Sequence, residues 1–180
     1  MLWYNVENRF ITGEKMKKKI FLQIAGKLND SFDITPLLYG SLGLEQRLGE
    51  NLNADDIDVL IPEEYLCEKW GRLIDVMTEL GYSLYDAHEH AFKKDGVSAA
   101  FASIENLEDF AGVNTAEIPV VYEDGVRYYL LELGDYLKVY TVSSKDGYRR
   151  DTKNKNDTEK IELINVRWKN NKYIVFNGLL

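Results

Sequence analysis

Cysteine is almost absent from this chain. Cys67 stands alone among 180 residues, which excludes an internal disulfide framework and a cysteine-rich zinc site. Long hydrophobic runs are missing as well: no apolar stretch approaches the roughly 20 residues of a membrane span. The opening Met1-Leu2-Trp3-Tyr4-Asn5-Val6-Glu7 lacks the basic region and long apolar run of a secretory signal. The cytoplasm is therefore the expected compartment. There is no internal repeat, low-complexity tract or Pro/Gly-rich linker, so a single domain over 1–180 is expected, at most with a small appendage. A serine-hydrolase elbow, a Walker loop and a dinucleotide fingerprint are also lacking.

Positive charge is outnumbered, with 22 Lys and Arg against 30 Asp and Glu. The formal net charge of −8 argues against broad binding to nucleic acid, whose phosphates would be repelled. Two local basic clusters stand out, Lys15, Lys17, Lys18 and Lys19, and Lys145, Arg149, Arg150, Lys153 and Lys155. A local basic segment in an acidic protein can hold a small polyphosphate, and a solvated face accounts for such a run equally well. Only two histidines occur. His88 and His90 would share one face of a strand, yet no third ligand at a zinc spacing accompanies them.

What is present is enough for a core. Hydrophobic residues make up 45% of the chain and charged residues 29%, the balance of a soluble globular domain. Met16, Ile20, Phe21, Ile24 and Leu28 form a helical stripe between Glu14 and Asp30. Asp33–Tyr39 reads as a strand, Leu42–Leu48 as a short helix, Gly49–Asn53 as a turn and Asp56–Ile61 as a second strand. Pro62-Glu63-Glu64 opens a helix expected to run to Leu80. Asp95-Gly96 and Asp124-Gly125 mark two hairpins, the first between His88–Lys93 and Val97–Ile104. Leu133–Ser144 and Asp157–Lys169 read as helices, and Tyr173-Ile174-Val175-Phe176 as a strand or a helix end. The sum is α+β: a mixed sheet backed by helices over 1–132, and a helical C-terminal portion over 133–180.

The chemistry concentrates between residues 37 and 61. Leu37-Leu38-Tyr39 ends in Gly40-Ser41, a turn whose backbone N–H groups and hydroxyl can approach a phosphate. Asp56 and Asp58, at i and i+2, would share one strand face, with Ile57 turned into the packing layer. Two carboxylates so close repel unless a cation lies between them, and Mg²⁺ bearing phosphate oxygens is the natural occupant. Solvated aspartates on an edge strand and an ordinary turn are the plain alternative.

This order of an apolar strand, Gly-Ser, a short helix and Asp-x-Asp on a second strand resembles the signature of the nucleotidyltransferase superfamily, which includes the DNA polymerase β-like, antibiotic and minimal nucleotidyltransferases. The resemblance implies that Gly40 and Ser41 bind the triphosphate of an NTP and that Asp56 and Asp58 ligate Mg²⁺. It implies transfer of a nucleoside monophosphate to a hydroxyl acceptor, a small molecule or a protein. Arg47 falls near a basic residue of many members, at a different offset. A third acid in the family lies on a strand beside Asp-x-Asp. The corresponding run Val97–Ile104 carries Ser and Ala there, which leaves Glu105 at its far end as the available third ligand. The resemblance also implies a phosphate-binding lysine near the opening of the later helix, where Lys153 and Lys155 stand. Asp157 there also fits a plain helix cap, and Tyr148, Arg149 and Arg150 fit either nucleotide contact or a surface loop. Loss of the third acid would instead leave a catalytically inactive binding or regulatory module of the same fold.

Overall fold

The computed structural model describes residues 13–145 and 154–177, with side chains over 16–145 and 157–169. Its centre is a mixed seven-stranded sheet in the order β3-β4-β5-β2-β1-β7-β6. The strands are β1 (Leu37–Leu38), β2 (Ile57–Ile61), β3 (Ser83–Asp86), β4 (Ala91–Lys94), β5 (Val97–Ser103), β6 (Val120–Glu123) and β7 (Val126–Leu130). Around them lie α1 (Gly13–Phe32), α2 (Gly40–Leu48), α3 (Trp70–Glu79), α4 (Asn106–Ala111), α5 (Leu133–Ser143) and α6 (Asn154–Asn177). The sequence pattern thus identifies an α+β architecture with a helical C-terminal part, and the structure has it. Among the described residues no helix is long and apolar enough to cross a membrane.

Strand alternation divides the interior into two cores. Leu38, Ile57, Val59, Ile61, Ala99, Phe101, Tyr128 and Leu130 point to one face, where Phe21, Ile24 and Leu28 of α1 and Leu73 and Met77 of α3 cover them. The α1 residues recur at three- and four-residue steps, which places them on a single helix face. Leu37 and Leu60 point the other way and pack with Leu107, Tyr136, Val139, Tyr140 and Ile164 from α4, α5 and α6. Asp58 alternates with Ile57 and Val59, so it lies on this second face, beneath α5 and α6. That parity sets the location of the site.

Several elements differ from the sequence pattern. The helix expected from Pro62 to Leu80 is split into a 3-10 turn, Glu63–Tyr65, and α3; Tyr65 is buried and stacks on Phe32 at 4.5 Å, which fixes that turn separately. Residues 87–90 form a turn, not a strand, so His88 and His90 do not share a strand face. His88 is exposed beside Glu89, and the His90 ring meets Trp70 edge-on at 4.8 Å. Strand β3 is an exposed edge with no apolar alternation for a pattern to detect. Helix α4 buries only Leu107. Tyr173–Phe176 lie within α6.

Candidate active site

The Gly-Ser turn and the aspartate pair meet. Strand β1 pairs antiparallel with β2, Leu38 opposite Val59, and the Tyr39 N–H extends that ladder by donating to the Asp58 carbonyl at 2.9 Å. The chain then turns sharply into α2 at Gly40, whose φ is +61°. A Cβ on Gly40 would overlap the Asp58 carboxylate. Both the left-handed backbone and this close approach require glycine. The alternative of solvated aspartates remote from the turn is thereby excluded.

Above the turn opens a cleft of about 710 Å³, lined by Gly40, Ser41, Asp56, Asp58, Tyr140 and Lys160 among others. The loop that delivers Asp55 and Asp56 is anchored from beneath. Glu45 is buried, and its Oε1 accepts from the Leu52 and Ala54 N–H groups at 3.0 and 2.8 Å; Lys17 donates to the Ala54 carbonyl. Among the described residues six acids border the cleft, Asp55, Asp56, Asp58, Glu89, Asp157 and Glu159, against one lysine, Lys160. Such a lining favours an anion that brings its own cations. Among the described residues no three His, Cys, Asp or Glu side chains gather as a complete metal cage. The donor set of Asp56 and Asp58 suits Mg²⁺ because that ion takes one or two carboxylates and completes its shell with water and phosphate oxygens.

Helices α5 and α6 form the opposite wall. Tyr136, Val139, Tyr140 and Ser143 make the buried stripe of α5. Ser143 Oγ donates to Asp157 Oδ2 at 2.7 Å, joining α6 to α5, and Gly134 lets Trp168 of α6 approach, since a Cβ there would lie 2.6 Å from its ring. Helix α6 starts at Asn154, so Asp157 falls inside its first turn and does not cap it. Lys160, one turn on, donates from Nζ to Ser41 Oγ at 2.8 Å, across 119 positions of chain. Its ammonium also lies 4.9 Å from the centre of the Tyr140 ring. Burial above all, then Tyr39 and to a smaller degree Asp157 and Asp58, push the Tyr140 hydroxyl far above the ordinary phenol range, against a hydrogen-bonding pull from Ser41 that exceeds either acid's. Tyr140 therefore keeps its proton at physiological pH.

Glu105 is not brought to this cleft, which corrects the expectation for the third acid. Asp58 stands opposite Ala100 on the parallel neighbour β5, and Glu105 lies five residues further along, roughly 16 Å away at about 3.3 Å per residue. Its Oε2 accepts from Ser103 Oγ at 2.8 Å and from the Glu63 N–H at 3.1 Å, tying the end of β5 to the 3-10 turn. Arg47 is likewise structural: it donates to the Leu131 and Leu130 carbonyls at 2.7 and 2.9 Å and pairs with Glu132. Lys153 lies outside the described residues, as do Tyr148, Arg149 and Arg150; Lys155 is in the first turn of α6, its side chain outside them. Among the described side chains, Lys160 is the lysine that reaches the Gly-Ser turn, and its one signal in the sequence is the basic position four residues into the Asp157 segment. Glu89, on the turn before β4, also borders the cleft unanticipated.

The fold is nucleotidyltransferase-like. In fold it is similar to the solution structure of the antibiotic-resistance factor ANT(2'')-Ia, with a TM-score of 0.53 over 92% of this chain and 97% of that one, at 14% identity. A crystal structure of ANT(2'')-Ia in complex with adenylyl-2''-tobramycin aligns over 87% and 99% of the two chains, with a TM-score of 0.47 and 14% identity. No family model matches the sequence. The chain belongs to the family of the uncharacterized protein YnaI of Bacillus subtilis (strain 168), to which it is 46% identical over 145 residues, 81% of this chain and 93% of that protein.

Proposed function

We propose that the cleft binds a nucleoside triphosphate with Mg²⁺ and transfers its nucleoside monophosphate to a hydroxyl acceptor. The observation that carries this reading is the contact of Gly40 with Asp58 inside one cleft, on a nucleotidyltransferase-like fold. Asp56 and Asp58 would hold Mg²⁺, which neutralises charge on the phosphates and lowers the pKa of a coordinated hydroxyl. Ser41 and the Gly40 turn meet the phosphate chain, with the Lys160 ammonium beside them. In the transfer, the acceptor oxygen bonds to the α-phosphorus, the α–β bridging bond breaks, pyrophosphate leaves and the acceptor's proton goes to solvent or a nearby carboxylate. The chain acts as a single unit over 1–180, in the cytoplasm, where NTP and Mg²⁺ are abundant.

A second reading, a binding or regulatory module without turnover, is favoured by one observation: Ala100 stands opposite Asp58, with no third carboxylate beside it on β5. Calorimetric titration of ATP, GTP, CTP and UTP, with and without Mg²⁺, tests the site on wild type and on Asp56→Ala/Asp58→Ala. Mg²⁺-dependent binding lost in the double variant supports it; binding that survives places the pocket elsewhere. Pyrophosphate release with a panel of hydroxyl acceptors then supports transfer. Binding without release, with release gained on Ala100→Asp, supports the module.

A further inference from the structure

Buried hydroxyls in this fold find partners. Tyr136, one turn before Tyr140 on α5, donates to the Leu38 carbonyl at 3.3 Å, and Tyr128 donates to Glu123 at 2.8 Å. Tyr140 does not. Its hydroxyl has no hydrogen-bond partner although the residue is only 6% exposed; Ser41 is near, without a bond of acceptable geometry. Leaving such a group unpaired is costly, and a fold that tolerates one holds it in reserve for something absent. One other buried side-chain atom among the described residues is in this condition, Glu45 Oε2. That carboxylate already has work through its second oxygen, which holds the loop before Asp55. Tyr140 has no comparable structural task.

The surroundings say what is missing. Tyr140 borders the cleft together with Ser41 and Lys160, and the Lys160 ammonium rests over its ring while donating to Ser41. A phenol that retains its proton, a serine hydroxyl and an ammonium converge on one corner of the cleft, and all three can donate, although the Asp157 carboxylate also lies there, 4.0 Å from the ammonium. Converging donors, one of them charged, match an anionic oxygen and not a base edge with mixed donors and acceptors.

We propose that the Tyr140 hydroxyl is a ligand-binding donor that takes a phosphate oxygen of the bound triphosphate, beside Ser41 and Lys160. This assignment rests on the nucleotide-binding reading of the cleft. It carries a two-signed consequence. Tyr140→Phe keeps the ring and deletes the unpaired hydroxyl, so the ligand-free protein gains stability, with Tm higher by about 2 °C. The same change weakens binding of the Mg²⁺ complexes about tenfold.

The test measures Tm without ligand, and Kd for MgATP, MgGTP, MgCTP, MgUTP and magnesium tripolyphosphate, on wild type, Tyr140→Phe and Tyr128→Phe. The expected result is a raised Tm with equal weakening for nucleotide and tripolyphosphate in Tyr140→Phe. Tyr128→Phe, outside the cleft, is expected to lower Tm and leave binding unchanged. A lowered Tm with unchanged binding in Tyr140→Phe makes the hydroxyl structural and overturns the proposal. Weakened nucleotide binding with unchanged tripolyphosphate binding moves the contact to the nucleoside and overturns the phosphate assignment alone. Wild type that binds neither nucleotide nor tripolyphosphate overturns the nucleotide reading itself, and this inference with it.

Discussion

Among the tyrosines that sit under a lysine, Tyr128 and Tyr140 have surroundings that differ in kind. Tyr128, on the α1 side of the sheet, has the Lys18 ammonium 4.3 Å from its ring centre, receives a hydrogen bond from it at 2.5 Å and passes one on to Glu123 at 2.8 Å. Lys18 closes the loop on Glu123 at 2.9 Å. Every polar group in that trio has a protein partner. Tyr140, on the opposite side, has the same ring–ammonium stacking and an unpaired hydroxyl. A complete network fastens helix to sheet, and an incomplete one marks where a ligand is wanted. The two faces of one sheet have thus divided the labour, α1 and α3 closing a core while α5 and α6 roof a cleft.

That division can be broken from either side. The largest effect is expected from Gly40→Val, which forces a β-branched residue into a left-handed conformation against Asp58. We expect about 2–3 kcal/mol of destabilisation in urea melts and no measurable MgATP binding, with the Lys18 network untouched. Lys18→Met should cost about 2 kcal/mol, below the usual range for a broken buried pair because Glu123 is half exposed, while MgATP affinity stays at the wild-type value. If that variant loses binding instead, the two faces are coupled and the division fails.

Protonation sharpens the same contrast. Burial drives the Glu123 carboxyl upward, but the hydrogen bonds from Lys18 and Tyr128 and the Lys18 charge outweigh it and hold the group below its ordinary 4.5. A depressed carboxyl contributes stability that is present above the unfolded-state value and lost as pH falls through the folded one. Acid unfolding of wild type should therefore steepen below about pH 4.5, and Glu123→Gln should flatten that limb. Lys18 works at the other end. Burial lowers its pKa from 10.5 despite the opposing pull of Glu123 and Asp124, so its contribution to stability rises as pH climbs through the folded value toward 10.5. The smallest effect on stability belongs to Lys160→Met, within about 0.5 kcal/mol, although MgATP binding should weaken about tenfold.

The acidic half of the site was legible in the sequence because it is local. Gly40, Ser41, Asp56 and Asp58 lie on adjacent elements, and the period-2 rule alone puts the two aspartates on one face. Helices α1, α5 and α6 follow from apolar spacing for the same reason. The rest depended on relations the sequence does not state. Glu105 follows β5 on the alternation of Val97, Ala99 and Phe101, and the register of β5 with β2 shows that this is the core face, whereas Asp58 shares the face of Ala100. Which of the lysines at 153, 155 and 160 turns toward Ser41 depends on where α6 begins and how it lies against α5, settled in part by the small Gly134 under Trp168. An unpaired hydroxyl is visible only once every neighbour has a position, so Tyr140 passed for one tyrosine among twelve.

The span of 119 residues between Lys160 and Ser41 also orders events in time. The β1–β2 hairpin closes a loop of about twenty residues and brings Gly40 onto Asp58 as soon as it zips; loop closure of that length is fast. Lys160 arrives only when the C-terminal helix docks, the slowest kind of contact to make. The half-built cleft carries Asp55, Asp56, Asp58 and Glu89, and the last helix then brings Asp157 and Glu159 together with Lys160. Opening of α6 ahead of the sheet in native-state hydrogen exchange would be the trace of that sequence, and divalent cations in the refolding buffer would shorten the wait.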